Sequence, residues 1–406
     1  MENILNFNQD FKDATVIKLE QNYRCKGNII QASNAVIANN YSQFEKEAWT
    51  ERNSGKPVTI CEAEDEYSEA QYIVREIDNL VKFGQHSYND VAILYRSNHQ
   101  SRVLEDEFIR NQIPYYIVGG LGFYDRKEIK DIISYLKVAI NPQDTIALKR
   151  IVSTPKRGLG PKTIEKMITH AQEHVPDFNL LTFGEDDQSL GLFDVMEDAT
   201  EVDGIGKKTA RKIKRFHDEI EEFTAIANSD LSIPQQVNRI LKKSGYWAML
   251  ELEDSDTARN RMENLDEFLS LSKNYYEKDK SRGLEDFLRD LRLLSDQDDM
   301  DENNQVKMMT VHAAKGLEFP AVFVAGVEEE IFPHYRNMIS GDIEDIEEER
   351  RLFYVAMTRA SERLFLTYSK QRKKFGEIKE MMGSRFLDEI PIECAIEKIH
   401  DGIRYK

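Results

Sequence analysis

The chain has 406 residues, 40% hydrophobic and 32% charged, which excludes a disordered tail and is too long for one ordinary globular core. Cys25, Cys61 and Cys394 form no CxxC pair, which argues against a disulfide framework or zinc cluster, and no apolar run approaches the roughly 18 residues of a membrane span. The net charge of -18 favours a small-molecule enzyme or a protein-interaction module over a nucleic-acid binder. Net charge does not describe local field, however, and the acids are clustered in Asp296–Glu302 and Asp342–Glu349.

In chain order, Val16–Leu19 reads as a short strand and Asn28–Asn39 as a helix with Ile29, Ala32, Val36 and Ile37 at helical spacing. Val58–Cys61 reads as a strand and Glu66–Val81 as a helix. Val91–Tyr95 and Tyr115–Val118 are compact apolar runs suited to a covered sheet. From about Arg126 to Asp301 the strand signals give way to helical patterns, among them Ile129–Ala139, Thr163–Ala171, Pro234–Lys243, Ala258–Asn274 and Leu284–Leu294. The acidic block ending at Glu302 reads as an exposed linker. Strands resume at Val306–Val311, Ala321–Ala325 and Leu364–Tyr368, around a helix at Glu347–Ala360. The expected architecture is α/β: a parallel-sheet domain in two parts, residues 1–125 and 302–406, interrupted by an all-helical domain at 126–301.

Three segments outside the insertion carry candidate chemistry. Arg24 follows the first expected strand, where a guanidinium can hold a phosphate oxygen, and Tyr23 offers a flat face to a base; an arginine there is more often surface or salt-bridged. In Thr310–Phe319, Gly316 permits a tight turn, Thr310 and His312 can donate to phosphate, and Glu318 can accept from a ribose hydroxyl; the plainer reading is an ordinary loop between strands. On the Glu347–Ala360 helix, Arg359 can offset charge on a transferred phosphoryl group, or, more plainly, the arginines pair with Glu347–Glu349.

Within the insertion, Lys156–Thr163 and Asp203–Arg211 each combine a G-x-G turn with a basic helix start. Arg157, Lys162, Lys207 and Lys208 are placed there to grip duplex phosphates without reading sequence, although G-x-G turns also serve plain helix connections. No G-x-x-x-x-G-K-[ST] occurs, so the chain carries no P-loop cradle; nor does it carry a spaced metal set.

Leu19–Arg24, Tyr95–Glu105, Thr310–Phe319 and Glu348–Ala360 resemble ordered motifs of the bacterial UvrD/PcrA/Rep superfamily 1 DNA helicases, with Gram-positive PcrA the nearest branch. Ile113–Gly120, Phe123–Tyr124, Arg126–Asp131 and Ile331–His334 match the same family, so the resemblance covers nearly the whole chain. It implies the second RecA-like motor domain of an ATP-dependent 3′-to-5′ helicase, with a helical insertion and without the P-loop half. By motif, Tyr23 resembles the adenine-stacking residue, Arg24 and Arg359 the γ-phosphate arginines, and Glu318 the ribose-binding glutamate. Arg96, Asn98, Thr310 and His312 resemble single-strand DNA contacts, and the glycine turns resemble duplex contacts. ATP and Mg2+ are expected only in the complete helicase, and the isolated chain is expected to be inactive. The implied partners are single-stranded DNA, duplex junctions, a P-loop domain in cis or trans, and repair or transcription proteins, in the cytoplasm and at the nucleoid with no membrane. The alternative is a non-hydrolysing DNA- or protein-binding module derived from such a helicase.

Overall fold

The computed structural model describes residues 17–41, 46–173, 191–295, 304–335, 338, 343–374 and 377–400. They fall into two compact units, one built from Met1–Gly122, Gln297–Lys373 and Glu377–Lys406, the other from Phe123–Asp296 with Lys374–Gly376.

The first unit holds the sheet. In chain order its elements begin with α1 (Gly27–Ile37), β1 (Val58–Asp65), α2 (Glu66–Lys82), β2 (Val91–Tyr95), α3 (Ser101–Arg110) and β3 (Tyr115–Ile117). The strand order is β3-β4-β2-β5-β6-β1-β8, with β4 (Val306–Thr310), β5 (Phe319–Val324), β6 (Ala360–Lys374) and β8 (Ala395–His400); β7 (Glu377–Glu380) pairs off this path with β6. The neighbours along the path are parallel, as at Ile93↔Met308 and Ile93↔Phe323. The architecture is mixed α/β with a parallel sheet.

Alternate side chains of a strand point to opposite faces, and both faces here are covered. Ala92 and Leu94 of β2 join Ile29, Val36, Val322 and Phe353 in one apolar cluster. Val91, Ile93 and Tyr95 join Tyr72, Ile77, Phe108 and Phe323 in another. That is why β2 reads as an unbroken apolar run. The α2 helix begins where Asp65 accepts from the Ser68 N–H at 2.8 Å, satisfying one of its orphan donors.

Three departures from the sequence reading concern this unit. Ile17–Glu20 forms no strand: Ile17 and Leu19 are exposed, and pairing is confined to a bridge between Gln21 and Trp49. β-Forming side chains without a covering layer did not make a strand there; Val16 lies outside the described residues. β6 begins at Ala360, before Leu364, and β8 was not anticipated because exposed Ile396 and Ile399 alternate with nothing that reads as a buried face. The expected linker at Asp296–Glu302 also lies outside the described residues.

The second unit is helical among its described residues: α4 (Lys127–Ile140), α5 (Thr145–Ile151), α6 (Pro161–Glu173), α7 (Leu192–Glu197), α8 (Lys207–Ala227), α9 (Ile233–Lys243), α10 (Tyr246–Glu253), α11 (Asp256–Lys278) and α12 (Leu284–Ser295). Its core gathers Tyr135, Phe216, Phe223, Ile240, Leu265, Phe268 and Phe287, with the Tyr135 and Phe223 rings meeting edge to face at 5.7 Å. Asp144 caps α5 by accepting from Ala147 N–H at 2.9 Å, and Ser255 caps α11 by accepting from Ala258 N–H at 3.0 Å. The first unit continues with α13 (Ile343–Met357) and α14 (Arg385–Asp388).

Candidate nucleotide and nucleic-acid sites

Parallel strands give the sheet two unlike edges, and the candidate residues divide between them. Glu318 immediately precedes β5 and Arg359 immediately precedes β6, so both stand at the amino edge. The Phe319 N–H donates to the Arg359 carbonyl at 3.0 Å, fixing the two strand starts together. Arg24 reaches this edge from the N-terminal segment: its Nε pairs with the Glu318 carboxylate and its Nη1 donates to the Thr358 carbonyl at 3.2 Å. Because the first expected strand does not form, Arg24 is held by these contacts and by its N–H donating to the Asn22 side chain at 2.8 Å, not by a strand end.

Arg359 is oriented by its own surroundings. Its Nε donates to the Val355 carbonyl at 3.0 Å and its Nη1 to the Leu317 carbonyl at 3.0 Å. Burial lowers its pKa from the ordinary value, and the Arg24 charge lowers it further. Burial pushes the Cys25 thiol up to about 11, against the opposing pull of Arg24, the Asn22 hydrogen bond, Arg359 and Arg52. Two cations, Arg24 and Arg359, held near each other at partly buried positions form an arrangement suited to an oxyanion. Tyr23 stands beside them, 78% exposed, its hydroxyl donating to the Gln21 side chain at 2.7 Å and its ring open to stacking.

The carboxyl edge carries the other set. Arg96 and Asn98 follow β2, and Thr310 and His312 lie at and just past the end of β4, next to β2 in the sheet. Asn98 and His312 are exposed, and Thr310 accepts from the Ala313 N–H at 3.3 Å. Arg96 is not simply open to solvent. It grips Glu349 through Nη2 to Oε1 at 2.8 Å and Nε to Oε2 at 3.0 Å. Partial burial, then the Arg96 charge, lowers the His312 pKa, with Glu349 and Glu348 opposing.

Glu349 is a site residue the sequence reading missed. The plainer reading paired the glutamates with arginines on their own helix, which holds for Arg351 with Glu347 at 3.2 Å and Glu348 at 3.0 Å. Glu349 turns instead to Arg96, 253 residues away, a partner no local spacing announces. Arg52 is a second omission: its guanidinium donates to the Arg24 carbonyl and stands 3.6 Å from Glu362, bracing the Arg24 segment.

In the helical unit the two glycine turns are linked reciprocally. Lys166 of α6 donates to the Gly204 carbonyl of the second turn at 2.8 Å, and Lys212 of α8 donates to the Gly158 carbonyl of the first at 3.4 Å. Gly158 and Gly204 take the same positive φ, 70° and 71°, which glycine adopts without a Cβ clash. Lys162, Lys207 and Lys208 are exposed beside these turns. Arg157 is not exposed beside them. Its side chain is turned inward onto Glu219 at 3.1 Å, the Ile151 carbonyl at 3.0 Å, the Tyr135 hydroxyl at 3.1 Å and the Phe216 ring at 4.5 Å. A guanidinium so engaged is a packing element of the unit. His217, Asp218 and Glu221 have metal-like spacing, but the Lys214 ammonium sits 3.4 Å from the His217 Nδ1 and 3.2 Å from Asp218, where a cation would stand.

The UvrD-like helicase C-terminal domain model matches residues 17–371, which takes in both edge clusters and the helical unit. The chain belongs to this helicase family. Its sheet unit is accordingly the RecA-like domain of a UvrD-like helicase. The chain is 44% identical over 393 residues to an ATP-dependent DNA helicase PcrA of Staphylococcus epidermidis, covering 96% of this chain and 52% of that protein. It is 42% identical over 406 residues to an ATP-dependent DNA helicase PcrA of Staphylococcus aureus, covering 100% of this chain and 53% of that protein. The UvrD-like chain thus spans about half the length of these relatives. No helix among its described residues is long and apolar enough to cross a membrane.

Proposed function

We propose that this chain works as the second motor domain of an ATP-dependent DNA helicase moving 3′ to 5′ on single-stranded DNA. The observation that carries the reading is the meeting of Arg24, Arg359 and Glu318 at one sheet edge from three distant parts of the sequence. In this reading Arg24 and Arg359 face the γ-phosphate, Tyr23 stacks on adenine and Glu318 accepts from the ribose. Arginines so placed stabilise charge that develops as the phosphoryl group transfers. The P-loop, the magnesium ligands and the water-orienting acid come from a partner domain in cis or trans, since no P-loop sequence occurs in these 406 residues. Arg96, Asn98, Thr310 and His312 contact the single strand, and Lys162, Lys207 and Lys208 contact duplex phosphates. The setting is the cytoplasm and nucleoid, with repair or transcription proteins as further partners, and residues 126–301 act as an inserted duplex-binding domain.

Phosphate release is measured for the chain alone, for a P-loop-bearing helicase half alone, and for the two mixed, each with saturating single-stranded DNA. DNA-stimulated turnover in the mixture, above either part, supports a motor domain. DNA binding without any restored turnover favours a non-hydrolysing binding module.

A further inference from the structure

The two edge clusters are joined by two connections that run from one edge of the sheet to the other. The segment between β4 and β5 starts at Thr310 and His312 on the carboxyl edge and ends at Leu317 and Glu318 on the amino edge. The α13 helix joins β5 to β6 and ends just before Arg359. Its Glu349 side chain is 4% exposed and holds Arg96, while also accepting from the His334 N–H at 3.1 Å. The amino edge is clasped as well, because Arg359 donates to the Leu317 carbonyl and Arg24 pairs with Glu318. The helix is therefore tied to Arg96 toward the carboxyl edge, and the residue just past its end is tied to the segment at the amino edge.

We propose that Glu349 is a positioning residue that transmits single-strand occupancy at Arg96 to Arg359 along α13. The inference rests on the DNA-contact reading given above. A carboxylate bonded to Nε and Nη2 occupies one edge of the guanidinium and leaves Nη1 pointing away from it, available to a strand phosphate. A phosphate there pulls on the same guanidinium that Glu349 holds, so the pair shifts together or its bonds weaken. The α13 helix runs eight residues beyond Glu349 to Met357, about 12 Å of helical rise that moves as a rod, and Arg359 follows its end by two residues. The far end of the rod is where Arg359 is aimed by the Val355 and Leu317 carbonyls. A glutamate that served stability alone would leave Arg359 indifferent to DNA.

Hydrogen exchange of this chain is measured by mass spectrometry with and without saturating oligo(dT), with binding followed by anisotropy on the same samples. The readout is exchange in peptides spanning 353–361, which hold the Thr358 N–H bond to the Tyr354 carbonyl and adjoin the Phe319 N–H bond to the Arg359 carbonyl. In the wild type, oligo(dT) changes exchange there by about fivefold or more, the low end of usual coupling between sites. Glu349→Gln still binds oligo(dT) but loses the change, and Glu349→Asp, which keeps the carboxylate, recovers part of it. Arg96→Lys keeps the charge without the paired bonds and also loses the change, which preserves the test if Glu349→Gln fails to fold. Wild-type binding with unaltered exchange at 353–361, or an undiminished change in Glu349→Gln, overturns the inference and leaves the DNA-binding reading intact. No binding of oligo(dT) by the folded wild type overturns that reading and the inference with it.

Discussion

Arg24 and Glu318, 294 residues apart in sequence, close an ion pair at the amino edge of the sheet, beside the carbonyl of Thr358 and the guanidinium of Arg359. Two cations brought this close repel, and they persist together because each is tied to acceptors on the fold. An anion entering between them relieves that repulsion.

Replacing either arginine by alanine in the assembled helicase is expected to lower DNA-stimulated kcat by about 10³, the low end for arginines that act on a transferred phosphoryl group. DNA affinity and thermal melts should change little. Loss of less than about tenfold in both variants, with lowered melts, would show that the pair serves stability instead.

The glycine-turn lysines and Arg157 should separate cleanly. Alanine at Lys162, Lys207 or Lys208 is expected to weaken duplex binding without sequence preference, each shallowing the slope of log affinity against log salt by about 1. Arg157→Ala should instead destabilise the helical unit by about 2–3 kcal/mol, because it strips a nearly buried cation from Glu219, three carbonyls and the Tyr135 hydroxyl. Duplex titration beside chemical denaturation checks both. A salt slope unchanged in the triple lysine variant would make the turns ordinary connections.

Asp266 gives the helical unit a pH dependence. Burial, with Glu263 and Glu267 adding to it, raises its pKa to about 7. The unfolded chain releases this proton near pH 4 while the folded unit keeps it, so stability falls as pH rises from about 4 to 7 and is lowest above 7. Asp266→Asn is expected to raise the melting temperature at pH 8, by ~2–4 °C for each kcal/mol relieved, and to flatten the profile between pH 5 and 8. An equal melting temperature at pH 8 would show that the carboxylate is accommodated without cost.

His312 points the other way. Its pKa is lowered by desolvation and then by Arg96 and Lys315, with Glu349 and Glu348 opposing, so the folded ring takes its proton over a lower pH range than an ordinary histidine. A strand phosphate favours the protonated ring, so binding takes up a proton and affinity for oligo(dT) should rise as pH falls through that range. The folded chain alone should lose stability over the same interval, since the unfolded histidine protonates first. His312→Ala is expected to remove its share of the pH-dependent affinity; anisotropy between pH 5 and 8 decides.

Much of this was legible because covered parallel strands and packed helices write their burial into the chain. Val91–Tyr95 was read to its ends, since a strand buried on both faces has no polar interruptions to blur it. Ile17 and Leu19 misled for the complementary reason: β-branched and apolar side chains mark a preference, and a strand also needs neighbours. Arg24, Glu318 and Arg359 stood out through their motifs, whereas Glu349 was hidden because its partner lies across the sheet. The inward turn of Arg157 is not legible in the sequence, because a glycine turn and a basic residue look alike whether the side chain faces solvent or turns inward. Lys166 and Lys212 could have been noticed, each standing eight residues past a glycine of its own turn, but their exchange of partners is visible only in three dimensions.

The strand order also governs how the chain is made. β1, β2 and β3 all lie within the first 117 residues, yet none neighbours another: β1 sits between β6 and β8, β2 between β4 and β5, and β3 beside β4. Every one of their ladders waits for residues from Val306 onward. With 188 residues between Ile117 and Val306, ribosomal synthesis leaves those early strand segments without their partners for roughly 10–40 s at about 5–20 residues per second. The helical unit has all its described helices synthesised inside that interval, so its own contacts, such as that of Tyr246 with Asp131, can form within it. The apolar strands of the sheet unit stay unpaired meanwhile, which leaves them open to aggregation while the described helices are already made.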